Sequence, residues 1–398
     1  MTRPALLIGQ SGGPTAVLNA SLAGVIEAAQ ASGAFARILG LRHGIEGALA
    51  GQAGDLIPLD SLGATELEAL AATPAAALGS CRHKLEPDDY ERILDCFRAH
   101  EVRWFCYIGG NDSMDTGHRL AMLAEQTGYD LAVFGVPKTI DNDLVETDHC
   151  PGYGSAARFW AVTAQEASVD LAAMRTYDRV LILECMGRNA GWLTAAAAIY
   201  RRDERTGPHL LLPPERPFDE QRFLAGIDGI LSRVGYCVVA AAETIRDTHG
   251  QLVALPPTSP EATDRFGHPL VAGTGELLAQ RVTAGLGVKA RVNKPGTLQR
   301  CSTAHVSPVD RAEARRAGQE AARRLARGER GGMVTLQRAQ LGDYHCDFGV
   351  APLEQVASRE RKLPVAYLAE DGSDVTAAFR AYAAPLLGPA PPPLFWLA

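Results

Sequence analysis

The chain has no surplus of basic residues: Lys and Arg together number 39 against 46 Asp and Glu, a net charge of −7. Binding a nucleic-acid backbone requires phosphates to be neutralised, so no nucleic-acid partner is expected. It has no CxxC pair, and its eight cysteines, at 81, 96, 106, 150, 185, 237, 301 and 346, are spread along the chain. That argues against a disulfide or zinc framework and for reduced packing thiols in an intracellular protein. No apolar run approaches the roughly 18 residues of a membrane span. The opening run, Ala5-Leu6-Leu7-Ile8, is too short for a signal peptide. A soluble cytoplasmic protein without a membrane partner is therefore expected. Repeats at solenoid periods are missing, and so are the Lys-Ser/Thr of a P-loop and the GxGxxG spacing.

What is present is an ordinary globular composition, 46% apolar and 21% charged over 398 residues, long enough for two or three domains. Short apolar runs alternate with amphipathic stretches through the first 140 residues. Strands are expected at 5–9, 35–41, 102–108 and 131–136, and helices after residue 17, from Pro87, and over about 114–126. The rhythm resumes with a helix over 154–173, a strand over 180–185, a helix over 190–200, a helix near 219–232 and a strand over 237–242. Strands separated by helices predict parallel βαβ units. The expected fold class is α/β: two Rossmann-like lobes with mostly parallel sheets and an active-site cleft between them. Residues 246–270 break the pattern with Pro256, Pro257, Pro260 and Pro269 and read as a loop. The arginines at 315, 316, 323, 324 and 327 read as the solvated face of an amphipathic helix.

Three polar segments follow expected strands, which places them at the carboxyl edge of a sheet, where ligands bind. Ser11-Gly12-Gly13 opens a helix, and its small residues let backbone N–H groups approach a phosphate. Gly109-Gly110-Asn111-Asp112-Ser113 adds an amide and a carboxylate; it can serve as a phosphate cradle or as a turn capped by Asp112 or Ser113. Pro137-Lys138-Thr139-Ile140-Asp141-Asn142-Asp143 crowds an ammonium, a hydroxyl, an amide and two carboxylates into seven residues. Phosphoryl transfer uses such a set, a cation to neutralise the moving group and a carboxylate to take a hydroxyl proton.

These segments, with Asn19, Met186-Gly187-Arg188 and Gln299-Arg300, stand in the order and spacing of the 6-phosphofructokinase family, which the chain resembles from residue 5 to about 330. Relative to short bacterial members, residues 246–287 look like an insertion. The resemblance implies phosphoryl transfer to the 1-hydroxyl of fructose 6-phosphate. It implies that Asp141 is the general base with Asp143 in support, and that Lys138 and Asp112 serve the donor end with Gly12, Gly13, Gly110, Asn111 and Arg82. Thr139, Ile140, Met186, Gly187, Arg188, Glu243, Thr297 and Arg300 would bind the sugar phosphate. Arg179 and Arg291 would reach it across a subunit boundary, as guanidinium forks suit phosphate oxygens, so a homodimer or homotetramer is expected. The donor lobe would comprise residues 1–152 with about 300–345, and the fructose 6-phosphate lobe residues 153–299 with about 346–398.

The donor turns on two positions. ATP-using members carry glycine where this chain has Asp112 and where it has Lys138. A carboxylate at 112 crowds and repels the α-phosphate of a nucleotide, and like charges brought close without water repel strongly. Lys138 supplies positive charge to pyrophosphate. The pair resembles the pyrophosphate-dependent branch, as do Gln10-Ser11-Gly12-Gly13-Pro14 and Asp264-Arg265-Phe266-Gly267-His268. Mg²⁺ is the expected cofactor, with Asn111 and Asp112 as candidate ligands, although Asn111 stands where the family usually has Asp. Thr297 replaces a more usual imidazole or phenol. Rival readings are an ATP-dependent or dual-donor enzyme and a non-catalytic sugar-phosphate-binding subunit, the last disfavoured by the presence of Asp141. Glu215 falls where relatives bind an effector's metal, and reads equally as a turn carboxylate.

Overall fold

The computed structural model describes residues 4–51, 56–254, 273–339 and 343–396. The chain divides into two units, 1–153 with 308–361 and 154–307 with 362–398. Elements are numbered along the chain.

The first unit is built on a seven-stranded sheet in the order β11-β10-β5-β4-β1-β2-β3. Strands β1 (Ala5–Gln10), β2 (Arg37–Leu41), β4 (Val102–Gly109), β5 (Ala132–Pro137) and β10 (Gly332–Arg338) run parallel. The edge strands β3 (Leu56–Pro58) and β11 (Cys346–Pro352) are antiparallel to their neighbours. Every residue of β1 and β5 is buried, the pattern of strands covered on both faces. Helices α1 (Leu18–Ser32), α2 (Ile45–Ala50), α3 (Ala64–Ala72), α4 (Pro87–Ala99), α5 (Asn111–Gln126), α11 (Pro308–Ala326) and α12 (Leu353–Val356) complete this unit. After β2 and β3 the chain returns to the other side of β1 to form β4, which makes the β1/β4 boundary a topological switch point.

The second unit holds a four-stranded parallel sheet, β7-β8-β6-β9. Its strands are β6 (Val180–Cys185), β7 (Leu210–Leu212), β8 (Cys237–Ala242) and β9 (Ala290–Asn293). Helix α6 (Tyr153–Ala173) leads into it, and α7 (Trp192–Ala196), α8 (Glu220–Val234), α9 (Thr274–Leu286), α10 (Leu298–Cys301) and α13 (Ala377–Leu387) follow. Its core packs Phe223, Ile227, Ile230 and Leu231 of α8 and Leu278 and Val282 of α9 on Val180, Ile182, Cys237 and Val239.

Three expectations change. Residues 346–361, expected with the second lobe, belong to the first, because β11 pairs with β10 along its whole length, from Arg338 opposite Cys346 to Gly332 opposite Pro352. Residues 300–307, expected with the first, belong to the second: the Ser307 N–H donates to Ser155 Oγ (3.1 Å) and its hydroxyl to the Leu386 carbonyl (2.6 Å). The end of the expected inserted loop is the regular helix α9, because Leu278 and Val282, one turn apart, are both fully buried. The string Asp264–His268 lies outside the described residues.

Candidate active site

In the first unit β5, β4 and β1 are adjacent, so the three polar segments leave the sheet side by side at its carboxyl edge. The segment after β1 is held by the Ser11 N–H donating to the Ile108 carbonyl (3.0 Å) and by the Ser80 hydroxyl donating to the Gly12 carbonyl (2.6 Å). Gly12 N–H donates to the carbonyl of Cys81 (3.2 Å), which brings the segment carrying the exposed Arg82 beside the glycines. Lys138, only 3% exposed, donates from Nζ to the Gly13 carbonyl at 2.9 Å. A side-chain carbon built on Gly12 would stand 3.0 Å from that ammonium. A buried cation therefore sits against the glycine pair.

Helix α5 begins differently from the capped-turn reading. Gly110 is the residue before its first turn, without a side-chain cap, and Asn111 Oδ1 accepts the N–H of Asp112 at 2.9 Å. Asp112 is exposed in that first turn, while Ser113 is buried beneath it. A helix N-terminus is a natural anion site, and this one already carries its own carboxylate. Asn111 keeps one amide lone pair for a ligand.

After β5, the Asp141 N–H donates to Thr139 Oγ1 (3.0 Å), and Thr139 N–H donates to the Pro151 carbonyl (3.2 Å). Ile140 is buried. Asn142 is fully buried with a φ of 56°, and its Oδ1 accepts the Cys150 N–H at 3.0 Å. This positions the backbone so that Asp141 and Asp143 are near neighbours. Burial, then the charges of Asp141 and Glu360, push the Asp143 carboxyl up to about 7. One proton is thus held readily at this pair, as expected where two carboxylates share a confined place.

Arg361 clamps the same segment, and nothing local in the sequence marks it. Its N–H donates to the Asp143 carbonyl (2.6 Å), and its guanidinium reaches the carbonyls of Asn142 (2.9 and 3.2 Å), Thr147 (2.8 Å) and Asp148 (2.5 Å). Beyond it lies a closed ionic network. The buried His149 ring faces Asp148 Oδ2 at Nδ1 (2.8 Å) and Glu313 Oε2 at Nε2 (2.7 Å), and Tyr344 donates to Glu313 Oε1 (2.6 Å). Burial opposes charge on the ring, but the two carboxylates outweigh it and raise its pKa. His149, Glu313 and Cys346 bring ligand atoms within 4.8 Å of one another. With both ring nitrogens and both Glu313 oxygens already engaged, the arrangement is that of an imidazolium locked between carboxylates.

In the second unit, Met186-Gly187-Arg188 follows β6 and Glu243 follows β8, so both leave the carboxyl edge of adjacent strands. Gly187 has a φ of 114°, and a side-chain carbon there would meet the Ala190 carbonyl at 2.6 Å, so only glycine fits. Burial raises the Glu243 carboxyl, opposed by the charge of Arg188 and the N–H of Gly187. Thr297 precedes α10, and Arg300 lies within it. Lys294, which no motif picked out, pairs with the buried Glu184 at 2.6 Å beside this group. Arg179 and Arg291 are not brought to it. Arg179 precedes β6 and donates to the Gly235 carbonyl (3.1 Å), and Arg291 sits in β9, opposite Leu181, paired with Asp178 (2.5 Å). Arg179 thus stands at the far end of β6 from Met186, and a six-residue strand spans roughly 20 Å. Glu215 accepts the N–H groups of Gly191 (2.9 Å) and Leu363 (2.8 Å). It is a turn carboxylate that seats the start of α7.

Among the described residues no helix is long and apolar enough to cross a membrane. The phosphofructokinase family model matches residues 5–325. A Xanthomonas campestris protein named pyrophosphate–fructose 6-phosphate 1-phosphotransferase is 44% identical over 398 aligned residues, covering 98% of this chain and 93% of its own. A protein of the same name from Halomonas elongata is 38% identical, covering 95% and 90%. The crystal structure of a pyrophosphate-dependent phosphofructokinase from Nitrosospira multiformis superposes with a TM-score of 0.86 at 38% identity, covering 98% of this chain and 94% of that one. Three polar loops on one sheet edge, two of them glycine-rich and the third carrying a carboxylate pair, and a match that spans both units lead to one assignment. The chain belongs to the phosphofructokinase family.

Proposed function

We propose that this protein transfers a phosphoryl group reversibly between pyrophosphate and the 1-hydroxyl of fructose 6-phosphate, giving fructose 1,6-bisphosphate and phosphate. The observation that carries the choice of donor is the presence together of Asp112, in the first turn of α5, and of the buried Lys138 ammonium against the Gly12-Gly13 loop. The carboxylate takes the helix end that a nucleotide's inner phosphate would need. The ammonium supports a small inorganic anion that has no adenosine to anchor it. The names of the relatives agree with this reading.

Asp141 accepts the proton of the sugar's 1-hydroxyl as its oxygen attacks the nearer phosphorus. The anhydride P–O bond breaks, and phosphate leaves with its charge met by Lys138, Arg82 and the N–H groups of Gly13 and Gly110, while Gly12, its N–H already given to Cys81, lets the anion approach through its lack of a side chain. Asp143, whose carboxyl is pushed up to about 7 by burial and by the Asp141 charge, supports Asp141. Thr139, Ile140, Met186, Gly187, Arg188, Glu243, Thr297 and Arg300 bind the sugar phosphate. Arg179 and Arg291 serve the site of a second copy, which makes the working enzyme a homodimer or homotetramer. The oxygen-rich donor set of Asp112 and Asn111 fits Mg²⁺, which takes few protein ligands alongside water and substrate phosphates and would neutralise phosphate charge when bound. Eight cysteines, none in a disulfide, support a cytoplasmic setting.

Purified protein given pyrophosphate, fructose 6-phosphate and Mg²⁺ should form fructose 1,6-bisphosphate, and phosphate should drive the reverse. Asp141→Asn should lower kcat by about 10²–10⁴-fold with KM values little changed. Turnover unaffected by Asp141→Asn would refute the assignment of the base.

A further inference from the structure

Gln299 is 3% exposed, and its side chain joins three segments of the second unit. Its Oε1 accepts two hydrogen bonds, from the indole Nε1–H of the fully buried Trp160 on α6 (2.9 Å) and from the backbone N–H of Met186 (2.8 Å). Its Nε2 donates to the Gly296 carbonyl (2.9 Å). The orientation of the amide is forced, since indole and backbone N–H groups can only donate and a carbonyl can only accept. No other neutral side chain of this length offers a double acceptor and a donor in one plane.

The position in sequence gives this geometry a consequence. Gln299 stands next to Arg300 and two residues from Thr297, while Met186 opens the loop of Gly187 and Arg188. We infer that Gln299 is a positioning residue that sets the spacing of the two loops binding the sugar phosphate, with Trp160 as its fixed abutment. This rests on the reading of that site given above. Losing the acceptor leaves a buried indole N–H and a part-buried backbone N–H without partners and frees the Met186 loop to drift from Arg300. The chemical step lies elsewhere, so the effect falls on sugar-phosphate binding and spares the donor.

The test is steady-state kinetics and melting of Gln299→Met, which keeps volume and removes polarity, and of Gln299→Glu, which keeps the double acceptor. Gln299→Met should raise KM for fructose 6-phosphate at least about tenfold while KM for pyrophosphate stays within about twofold. Gln299→Glu should recover most of that loss. An unchanged KM for the sugar in Gln299→Met, or both KM values rising together, would overturn the inference. Should Gln299→Met fail to fold, amide exchange at Met186 in the wild-type enzyme decides: protection without substrate is expected, and exchange as fast as an exposed loop amide would overturn it. The two failures are separable. A wild-type enzyme inactive with both substrates sinks the functional reading, whereas an active one with an indifferent Gln299→Met sinks the inference alone.

Discussion

Asp143 is a carboxylic acid whose surroundings favour the proton: burial raises its pKa from 3.8 to about 7, and the charges of Asp141 and Glu360 add to it. A group raised in this way contributes stability below its unfolded value and loses that contribution as pH climbs through about 7. Asp143→Asn should therefore raise the melting temperature more at pH 8 than at pH 5, measured by calorimetry. An equal shift at both pH values would mean that the carboxyl is ionised in the fold throughout. The carboxylate pair itself was legible in the sequence, since five polar side chains of four chemical kinds crowd into one short segment after a strand. Glu360 and Arg361 were not, because the Arg361 contact with Asn142 joins residues 219 positions apart and no spacing rule reaches that far. Gln299 was legible as part of a motif but its contact was not, since its bond to Met186 spans 113 positions.

At the scale of elements, two pieces of packing hold the first unit's site. Helix α11 lies against α1 so closely that a side-chain carbon on Gly24 would stand 1.9 Å from the Arg315 carbonyl oxygen, and one on Gly318 would stand 2.0 Å from that of Ser21. Arg315, expected on a solvated face, instead forks onto Glu27 of α1, with Nε 3.0 and 3.2 Å from the two carboxylate oxygens, and its Nη1 reaches Glu68 (2.6 Å). The alternation of alanine and arginine reads as amphipathic in either case, and only the partner helix distinguishes solvent from a neighbour. Gly24→Ala must push backbone apart and should destabilise by about 1–3 kcal/mol, seen as a lower melting temperature. No change in melting would show that α1 and α11 can separate freely. The second piece is the Arg361 clamp on the backbone of Asn142, Thr147 and Asp148. Arg361→Ala should lower kcat about tenfold or more, and Arg361→Lys should not restore it, because a single ammonium lacks the planar fork that reaches all three carbonyls. Full activity in Arg361→Lys would show that charge alone suffices. Strands and helices were readable from their periodicity. The strand β11 was not placed with its sheet, because an edge strand pairs on one side only and its burial alternates irregularly.

In the whole molecule, a fold that many ligands could use carries residues suited to one phosphoryl donor. The match across 98% of the chain assigns the family, and the two positions on which the proposed donor rests, Asp112 in the first turn of α5 and Lys138 after β5, follow neighbouring strands of one sheet. Arg179 stands at the far end of β6 from Met186, and for that reason it is assigned, in the proposed function, to the site of a second copy. The most direct measurement is the ratio of kcat/KM for pyrophosphate to that for ATP, in the wild-type enzyme and in Asp112→Gly combined with Lys138→Gly. The expected result is a wild-type preference for pyrophosphate of about a hundredfold or more, and a marked fall in that ratio in the double variant. A wild-type enzyme that uses ATP as well as pyrophosphate, or a double variant whose ratio does not move, would contradict it.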